Sequence, residues 1–473
     1  AHQRLRQITG FRYRTLSTVL KGLDTQGDYV PTYTDLQSYW TYDLSDKVEL
    51  GFLGLYSRNR YDVVPQDRET DFGNFNQALR YTVYFDGQEK TAYETWSAAL
   101  NANIRPNKDL LLKFTGSAFR TNESQDMDIL GEYELGELDR DLGSDQFGKV
   151  VSQLGVGGYL SHARDDLQAT VISGTHKGTL NYGRGKTLQW GAEMRSESIT
   201  DHLTEWTLVD SAGYSIPKSQ GDSLVLNSSV QSNIDLQSVR SSAYVQNAWE
   251  WKQGRSAWSV VAGVRGQNWT YNGQTVISPR ARVAFHPGWQ KAIAPGDTVA
   301  RDYSFWFATG YYYQPPFYRE LRNPQGILNP DVVAQRSIHF ILGMDREFKM
   351  WERPFKFTTE AYYKLLSDLN PYETENTQIR YAAENNAKGY AVGLDTKLNG
   401  EFIPGVQSWA SLSVMRTAYD ITGDYYYHTY NAEGQRTDAI DTQDRTPVDS
   451  VRVNAGYIPR PSDQRVSFSM FFQ

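Results

Sequence analysis

Ser337-Ile-His-Phe-Ile-Leu-Gly-Met-Asp345 and Phe355-Lys-Phe-Thr-Thr-Glu-Ala-Tyr-Tyr-Lys364, parted by Lys349-Met-Trp-Glu-Arg-Pro354, decide the fold class. In the first segment Ile338, Phe340, Leu342 and Met344 share one side of an extended chain. Ser337, His339, Gly343 and Asp345 share the other, with Ile341 the one apolar exception. In the second, Phe355, Phe357, Thr359, Ala361 and Tyr363 oppose Lys356, Thr358, Glu360, Tyr362 and Lys364. Successive side chains of a strand point to opposite faces, so the pattern predicts a hairpin with one apolar and one charged side.

A soluble sandwich gives the same alternation, with its apolar side as core. Each segment here runs about ten residues, longer than the usual five or six of soluble sheets. Ten is the length a tilted strand needs to cross a bilayer. The turn inside the hairpin is short and the connections outside it are long, as at the two rims of an outer-membrane barrel.

Composition narrows the field. A chain of 473 residues is ordinarily divided into two or three soluble domains, yet no Pro-rich, Gly/Ser-rich or single-charge linker parts this one. It carries 32 Tyr, 20 Phe and 12 Trp, no Cys and a net charge of −7, which argues against nucleic acid as a partner. The mean hydropathy of −0.59 and the lack of a long apolar run exclude a transmembrane helix. A barrel is compatible with both, because half of each strand faces a wet lumen, and its interfaces are girdled by aromatic residues.

The rhythm of the hairpin recurs along the chain. Strands are expected at 11–19, 36–44 and 48–56, then at 78–85, 93–104 and 110–120. A polar connection spans 57–75, and a long acidic one runs from Thr121 to Lys149. A hairpin is expected to turn at Ala163-Arg-Asp-Asp166, and a long loop to reach from Ile199 to about Val239. Further hairpins turn at Gln253-Gly-Arg255 and Ile403-Pro-Gly405, and a Tyr-rich loop fills 420–447. The total is sixteen to eighteen strands, with short and long connections alternating. A propeller would need near-equal blades with a recurring signature, and none is present.

On this reading Arg265, Arg280, Arg282, Lys356, Glu360, Lys364, Asp395, Lys397 and Glu401 project into the lumen, to pair with one another, bind a solute or hold a plug. The acids of 121–149 could hold a divalent cation, since hard cations favour carboxylate oxygens. They miss the spacing of a calcium loop, so a solvated charged loop is the simpler reading. Two aromatic runs, Tyr311-Tyr-Tyr-Gln-Pro-Pro-Phe-Tyr318 and Tyr425-Tyr-Tyr-His-Thr-Tyr430, suit capture of a ring-bearing ligand, an interface girdle or a loop core. The candidate ligand-binding residues are therefore Tyr312, Tyr313, Phe317, Tyr426, Tyr427 and Tyr430. The histidines show no metal spacing, and no nucleophile elbow or phosphate loop occurs, so no catalytic residue, metal or cofactor is assigned.

Four segments resemble the TonB-dependent outer-membrane receptors, particularly those of Bacteroidetes. They are Ala243-Tyr-Val-Gln-Asn-Ala-Trp-Glu250 and Ile277-Ser-Pro-Arg-Ala-Arg-Val-Ala-Phe-His-Pro287. The others are Gly310-Tyr-Tyr-Tyr-Gln-Pro-Pro-Phe-Tyr-Arg-Glu-Leu321, with Asn323-Pro and Leu328-Asn-Pro330 after it, and Asn385-Asn-Ala-Lys-Gly-Tyr-Ala-Val-Gly-Leu-Asp395. The resemblance implies a plugged barrel of twenty-two strands importing a scarce, bulky solute with energy from periplasmic TonB. It also implies the outer membrane, its lipid and a small-molecule, glycan or peptide ligand as surroundings, with a surface lipoprotein as a further partner. The fold expected is thus all-β: a transmembrane antiparallel β-barrel with short periplasmic turns and long extracellular loops. Residues 1–473 are read as one barrel domain and as an interior segment of a longer chain, its plug and some strands lying outside. A structural barrel subunit of a surface complex, a passive porin and a soluble β-protein are the other readings.

Overall fold

The computed structural model describes the chain except residues 1–3, 16–26, 75–76, 211–224, 295–296, 376–377, 440–441, 443, 445 and 473. Apart from one 3₁₀ turn, Tyr318–Leu321, the regular elements among the described residues are all β-strands. Among the described residues no helix is long and apolar enough to cross a membrane.

The chain divides into two compact units. The first takes in β1 (Leu5–Thr15), β2 (Gly27–Ser45), β3 (Val48–Pro65), β4 (Arg68–Asn74), β5 (Gln77–Ile104) and β6 (Leu110–Leu138). They pair antiparallel in the order β1–β2–β3–β5–β6, with β4 laid along the far end of β5. Register sets whole rows on one face: Trp40 opposes Phe52, and Phe52 opposes Leu100. All three side chains are exposed, Leu100 at 66 %. The opposite face is polar. There Arg6 reaches Asp43 at 2.8 Å and Glu49 at 2.9 Å, and Asn103 donates to Glu49 at 2.9 Å.

Three long strands, β7 (Val150–Gly183), β8 (Lys186–Asp210) and β9 (Val225–Gln253), contribute residues to both units. The second unit adds β10 (Ser256–Trp269), β11 (Thr275–His286), β12 (Trp289–Ala294), β13 (Asp297–Gln314), β14 (Gln335–Met350) and β15 (Arg353–Leu369). It continues with β16 (Tyr372–Glu375), β17 (Gln378–Tyr381), β18 (Ala387–Ile403), β19 (Val406–Ile421), β20 (Tyr425–Tyr430), β21 (Asp449–Asn454), β22 (Tyr457–Pro459) and β23 (Val466–Phe472). The main sheet order here is β10–β11–β13–β14–β15–β18–β19–β23, antiparallel throughout. Without the short β4, β12, β16, β17, β20, β21 and β22, sixteen strands remain among the described residues, within the expected range.

Pairing carries the opening hairpin's alternation across this unit. Phe307, Leu342, Ala361, Leu394, Val414 and Val466 follow one another from strand to strand on one face. Leu342 is 62 % exposed, and a row of this size left open to solvent is foreign to soluble monomers. Towards the short turns the same face ends in rings: Trp258 on Phe285 at 4.4 Å, Trp289 on Tyr303 at 5.5 Å, and Phe348 near Phe355 at 6.1 Å. Arg346 lies over Tyr303 and Phe348, as a cation does when it reaches for an interface. An apolar band closed by an aromatic girdle is the surface a bilayer requires.

Bulky rings repeatedly sit over glycines of the neighbouring strand. A Cβ on Gly343 would meet Trp306 at 2.1 Å, and one on Gly400 would meet Phe355 at 2.3 Å. In the first unit the exchange is reciprocal: Tyr159 covers Gly131 while Tyr133 covers Gly157. Such positions need glycine for room rather than for backbone freedom. Gly343→Val is expected to displace Trp306 and cost about 1–3 kcal/mol of overpacking, read as a lower thermal midpoint of the detergent-solubilised protein. Gly185 is different. Its φ of +68 turns β7 into β8, and a Cβ there would strike the Glu250 carbonyl at 2.2 Å.

Four expectations are corrected. Ala163-Arg-Asp-Asp166 lies inside β7 and is not a turn; Ala163 is 1 % exposed and Arg164 donates to the Met127 carbonyl at 2.9 Å. Most of the acidic stretch 121–149 is strand, because β6 continues to Leu138. Its acids are engaged there: Asp128 accepts from Arg164 and lies 2.6 Å from His162, and no cluster able to hold a metal exists among the described residues. The connection at 57–75 is mostly the end of β3 and all of β4. The loop from Ile199 to Val239 is largely β8 and β9, its centre lying outside the described residues.

These strands are far longer than a bilayer needs. The 29 residues of β6 extend roughly 95 Å at about 3.3 Å per residue, whereas a strand tilted at about 45° crosses a 30 Å hydrocarbon core in roughly 42 Å. The surplus of β5 and β6 lies on the side of the long connections, away from their shared short turn at 105–109.

Candidate functional site

Three connections meet at the long-loop end of the second unit: 270–274, 315–334 and 370–386. Backbone groups that leave a strand ladder must find other partners, and amide side chains supply them here. Asn385 accepts from the Val333 amide at 2.7 Å and donates to the carbonyls of Val333 at 3.1 Å and Asp368 at 2.6 Å. Asn329 donates to the Ala383 carbonyl at 2.8 Å, and Asn370 to the Glu320 carbonyl at 2.7 Å. From the third connection Asn272 donates to Val332 O at 2.9 Å, and Gln274 accepts from Ala334 N at 2.8 Å. Glu320 closes the 3₁₀ turn by accepting from Phe317 N at 2.8 Å. Leu321, Val332 and Ala383, each at most 1 % exposed, form the apolar floor of the knot. Ala383 holds a left-handed φ of 53, a strained conformation that persists because its surroundings dictate it.

This knot joins the segments that carried the family resemblance: Pro316 with Glu320-Leu321, Asn329-Pro330 and Asn385. Sequence reasoning placed them in order along the chain. It did not show that they bond to one another, nor that Asn272, Gln274 and Asn370 belong with them.

The candidate ligand residues fall into two groups. Tyr312 and Tyr313 end β13, and Phe317 caps the 3₁₀ turn with its ring 65 % exposed. The Tyr312 ring is already engaged, stacked on His339 at 4.1 Å and carrying the Arg280 guanidinium at 4.0 Å. Tyr426, Tyr427 and Tyr430 were expected in a loop but lie on β20, which pairs with β21 as a separate hairpin. Tyr425, Tyr426 and Tyr427 are exposed on its two faces, and Arg452 sits 3.7 Å over Tyr425. The hairpin is held at its tip by Asn431, which accepts from Gln435 N at 2.8 Å and donates to Asp444 O at 3.0 Å. Beside it the hydrogen bond from Arg436 holds the Asp438 carboxyl below the usual range, and the backbone amide of Thr446 does the same for Asp444. On the neighbouring β16–β17 hairpin, burial pushes the Tyr381 hydroxyl up. Both groups thus present rings from ordered backbone, which limits the entropy lost when a ligand stacks on them.

The polar face runs below. Asp345 accepts from Thr358 Oγ1 at 2.7 Å and lies 3.8 Å from Lys356. Glu360 opposes Asp395 across β15 and β18, while Lys397 packs on Trp409 at 4.7 Å and Arg282 on Trp306 at 5.0 Å. Arg265 donates to Ser242 at 3.0 Å. Glu401 alone is set apart, at the β18–β19 turn, where it accepts from Gly405 N at 3.3 Å.

No family model matches the chain, and no curated protein does. Solved structures do. The RagAB peptide transporter aligns at a TM-score of 0.51 and 11 % identity, over 99 % of this chain and 58 % of the other. The RagAB peptide importer in its closed-closed state gives 0.52 and 9 %, with the same coverage. The chain therefore spans 58 % of the length of these two transporters. At such identities the likeness establishes fold alone: a transmembrane antiparallel β-barrel.

Proposed function

We propose that this chain is the barrel portion of an outer-membrane receptor that imports a bulky solute with energy delivered by TonB. The observation that carries the reading is the combination of an exposed apolar band with a rim of hydrogen-bonded loops presenting aromatic rings. A passive pore needs the band but not the organised rim. Phe317, Tyr426, Tyr427 and Tyr430 are the proposed capture residues, with Tyr312 and Tyr313 on the wall beneath, and no residue has a catalytic role. Because both neighbours handle peptides, a peptide is the solute class to try first. Cells carrying Tyr426→Ala with Tyr427→Ala are expected to take up a mixed peptide pool at a rate reduced about thirtyfold, since two aromatic stacking contacts worth ~1 kcal/mol each are lost. Uptake that is unchanged in these cells, or in cells lacking TonB, would sink the reading.

The protein is proposed to be longer than these residues and to include a plug; an intact mass well above 53.9 kDa is expected on purification. A second reading, a barrel subunit that docks a surface partner such as a lipoprotein, is favoured by the surplus length of β5 and β6. It predicts a stoichiometric partner that co-purifies in mild detergent and uptake indifferent to TonB.

A further inference from the structure

On the polar face of the second unit, Arg280, Arg282 and Lys364 lie towards the long loops. Asp345, Glu360 and Asp395 lie nearer the short turns, in the company of Lys356 and Lys397. Arg280, Gly310, His339 and Lys364 follow one another across β11, β13, β14 and β15. Gly310 has no side chain, and a Cβ there would meet Arg280 Cγ at 2.8 Å. The Arg280 side chain therefore crosses it and lands on Tyr312 at 4.0 Å, with His339 stacked on the same ring at 4.1 Å. Both Arg280 and Lys364 lie within electrostatic reach of His339. Two residues along, Arg282 packs on Trp306 at 5.0 Å, and Lys364 sits 4.8 Å over Tyr362.

Among the described residues, none of these three cations forms an ion pair, although other cations of the same chain do. Lys356 meets Asp345 at 3.8 Å and Arg336 meets Asp368 at 3.7 Å. Glu360 feels Arg282 and Lys364 without closing to a salt bridge. A guanidinium stacked by its flat face is fixed in position while its N–H edge stays open, and that edge matches a carboxylate in two parallel hydrogen bonds. Arg280 spends only Nε, on the Tyr311 carbonyl at 3.3 Å.

We propose that Arg280, Arg282 and Lys364 form a carboxylate-binding subsite on the inner wall, selecting solutes that carry carboxylate groups. The proposal rests on the transporter reading for its purpose, but its test does not require transport. Equilibrium dialysis of radiolabelled citrate against the detergent-purified protein, at constant ionic strength in potassium chloride, measures the site directly. Saturable binding is expected, weakened about tenfold or more in Arg280→Gln and in Lys364→Gln, each of which removes a charge-assisted hydrogen bond. Lys364→Arg keeps the charge and is expected to bind within about threefold of the parent, which separates loss of the site from misfolding. No saturable citrate binding by the parent, or equal binding by Arg280→Gln, would overturn the proposal. Sucrose retained as well as citrate would overturn it too. Citrate binding without TonB-dependent uptake would instead remove the transport reading and leave the subsite standing.

Discussion

Leu342→Arg is expected to destabilise the membrane-inserted protein by about 2–4 kcal/mol, the cost of arginine near the bilayer midplane on a barrel's lipid face. Leu342 belongs to the exposed apolar row and lies midway along β14, with Phe307 and Ala361 as its cross-strand neighbours and the girdle of Phe348 nearer the turn. Ser413→Arg, on the opposite face of a strand three further along, should be almost neutral, because it would stand opposite Asp395. Unfolding by guanidinium from lipid vesicles measures both. A small loss for Leu342→Arg and a large one for Ser413→Arg would mean that the faces have been assigned the wrong way round. Equal losses would mean that neither face meets lipid.

The second large effect is expected at the rim. Asn385→Ala removes three hydrogen bonds and leaves Val333 N, Val333 O and Asp368 O without them. At about 1 kcal/mol or more for each backbone group left unpaired, the loss is ~3 kcal/mol. It falls on the loops rather than the barrel, since the strand ladders remain intact. Hydrogen exchange should therefore accelerate at residues 315–334 and 370–386, while β14 and β15 stay protected. Asn386→Ala, whose side chain reaches only the neighbouring Glu384 at 3.1 Å, is the control and should change exchange little. If Asn385→Ala leaves the loops as protected as before, the knot is not what orders them. Its failure to order them would also weaken the case for capture by Phe317, which stands on the turn that Glu320 closes.

Much of the architecture was legible because the period of two in a strand is local. Ile338, Phe340, Leu342 and Met344 declare a face without knowledge of any other segment, and the short turns at 253–255 and 403–405 punctuate the pattern. The lumen-facing charges followed from the same alternation, and of those named only Glu401 is drawn aside, by a register shift between Gly400 and Ile403. The aromatic candidates were legible as residue types, but not the difference between Tyr312, already stacked on His339, and the exposed rings of β20.

Tertiary structure decided what depends on distant partners. Ala163-Arg-Asp-Asp166 carries every local mark of a turn, yet it is strand because Arg164 is held by Asp128, 36 residues away. The acids of β6 read as a solvated loop for the same reason: outside the bilayer neither face of a strand must be apolar, so the alternation that reveals a strand is lost. The rim knot is built from asparagines and glutamines whose partners are backbone groups up to 60 residues away, and an amide side chain gives no sign in sequence of which backbone it will satisfy. By itself the sequence determined that this chain is made of long, two-faced strands, because burial in lipid imposes a local pattern. Where those strands end, which loops are ordered and which cations stand unpaired were set only by register and cross-strand contact, which no local pattern encodes.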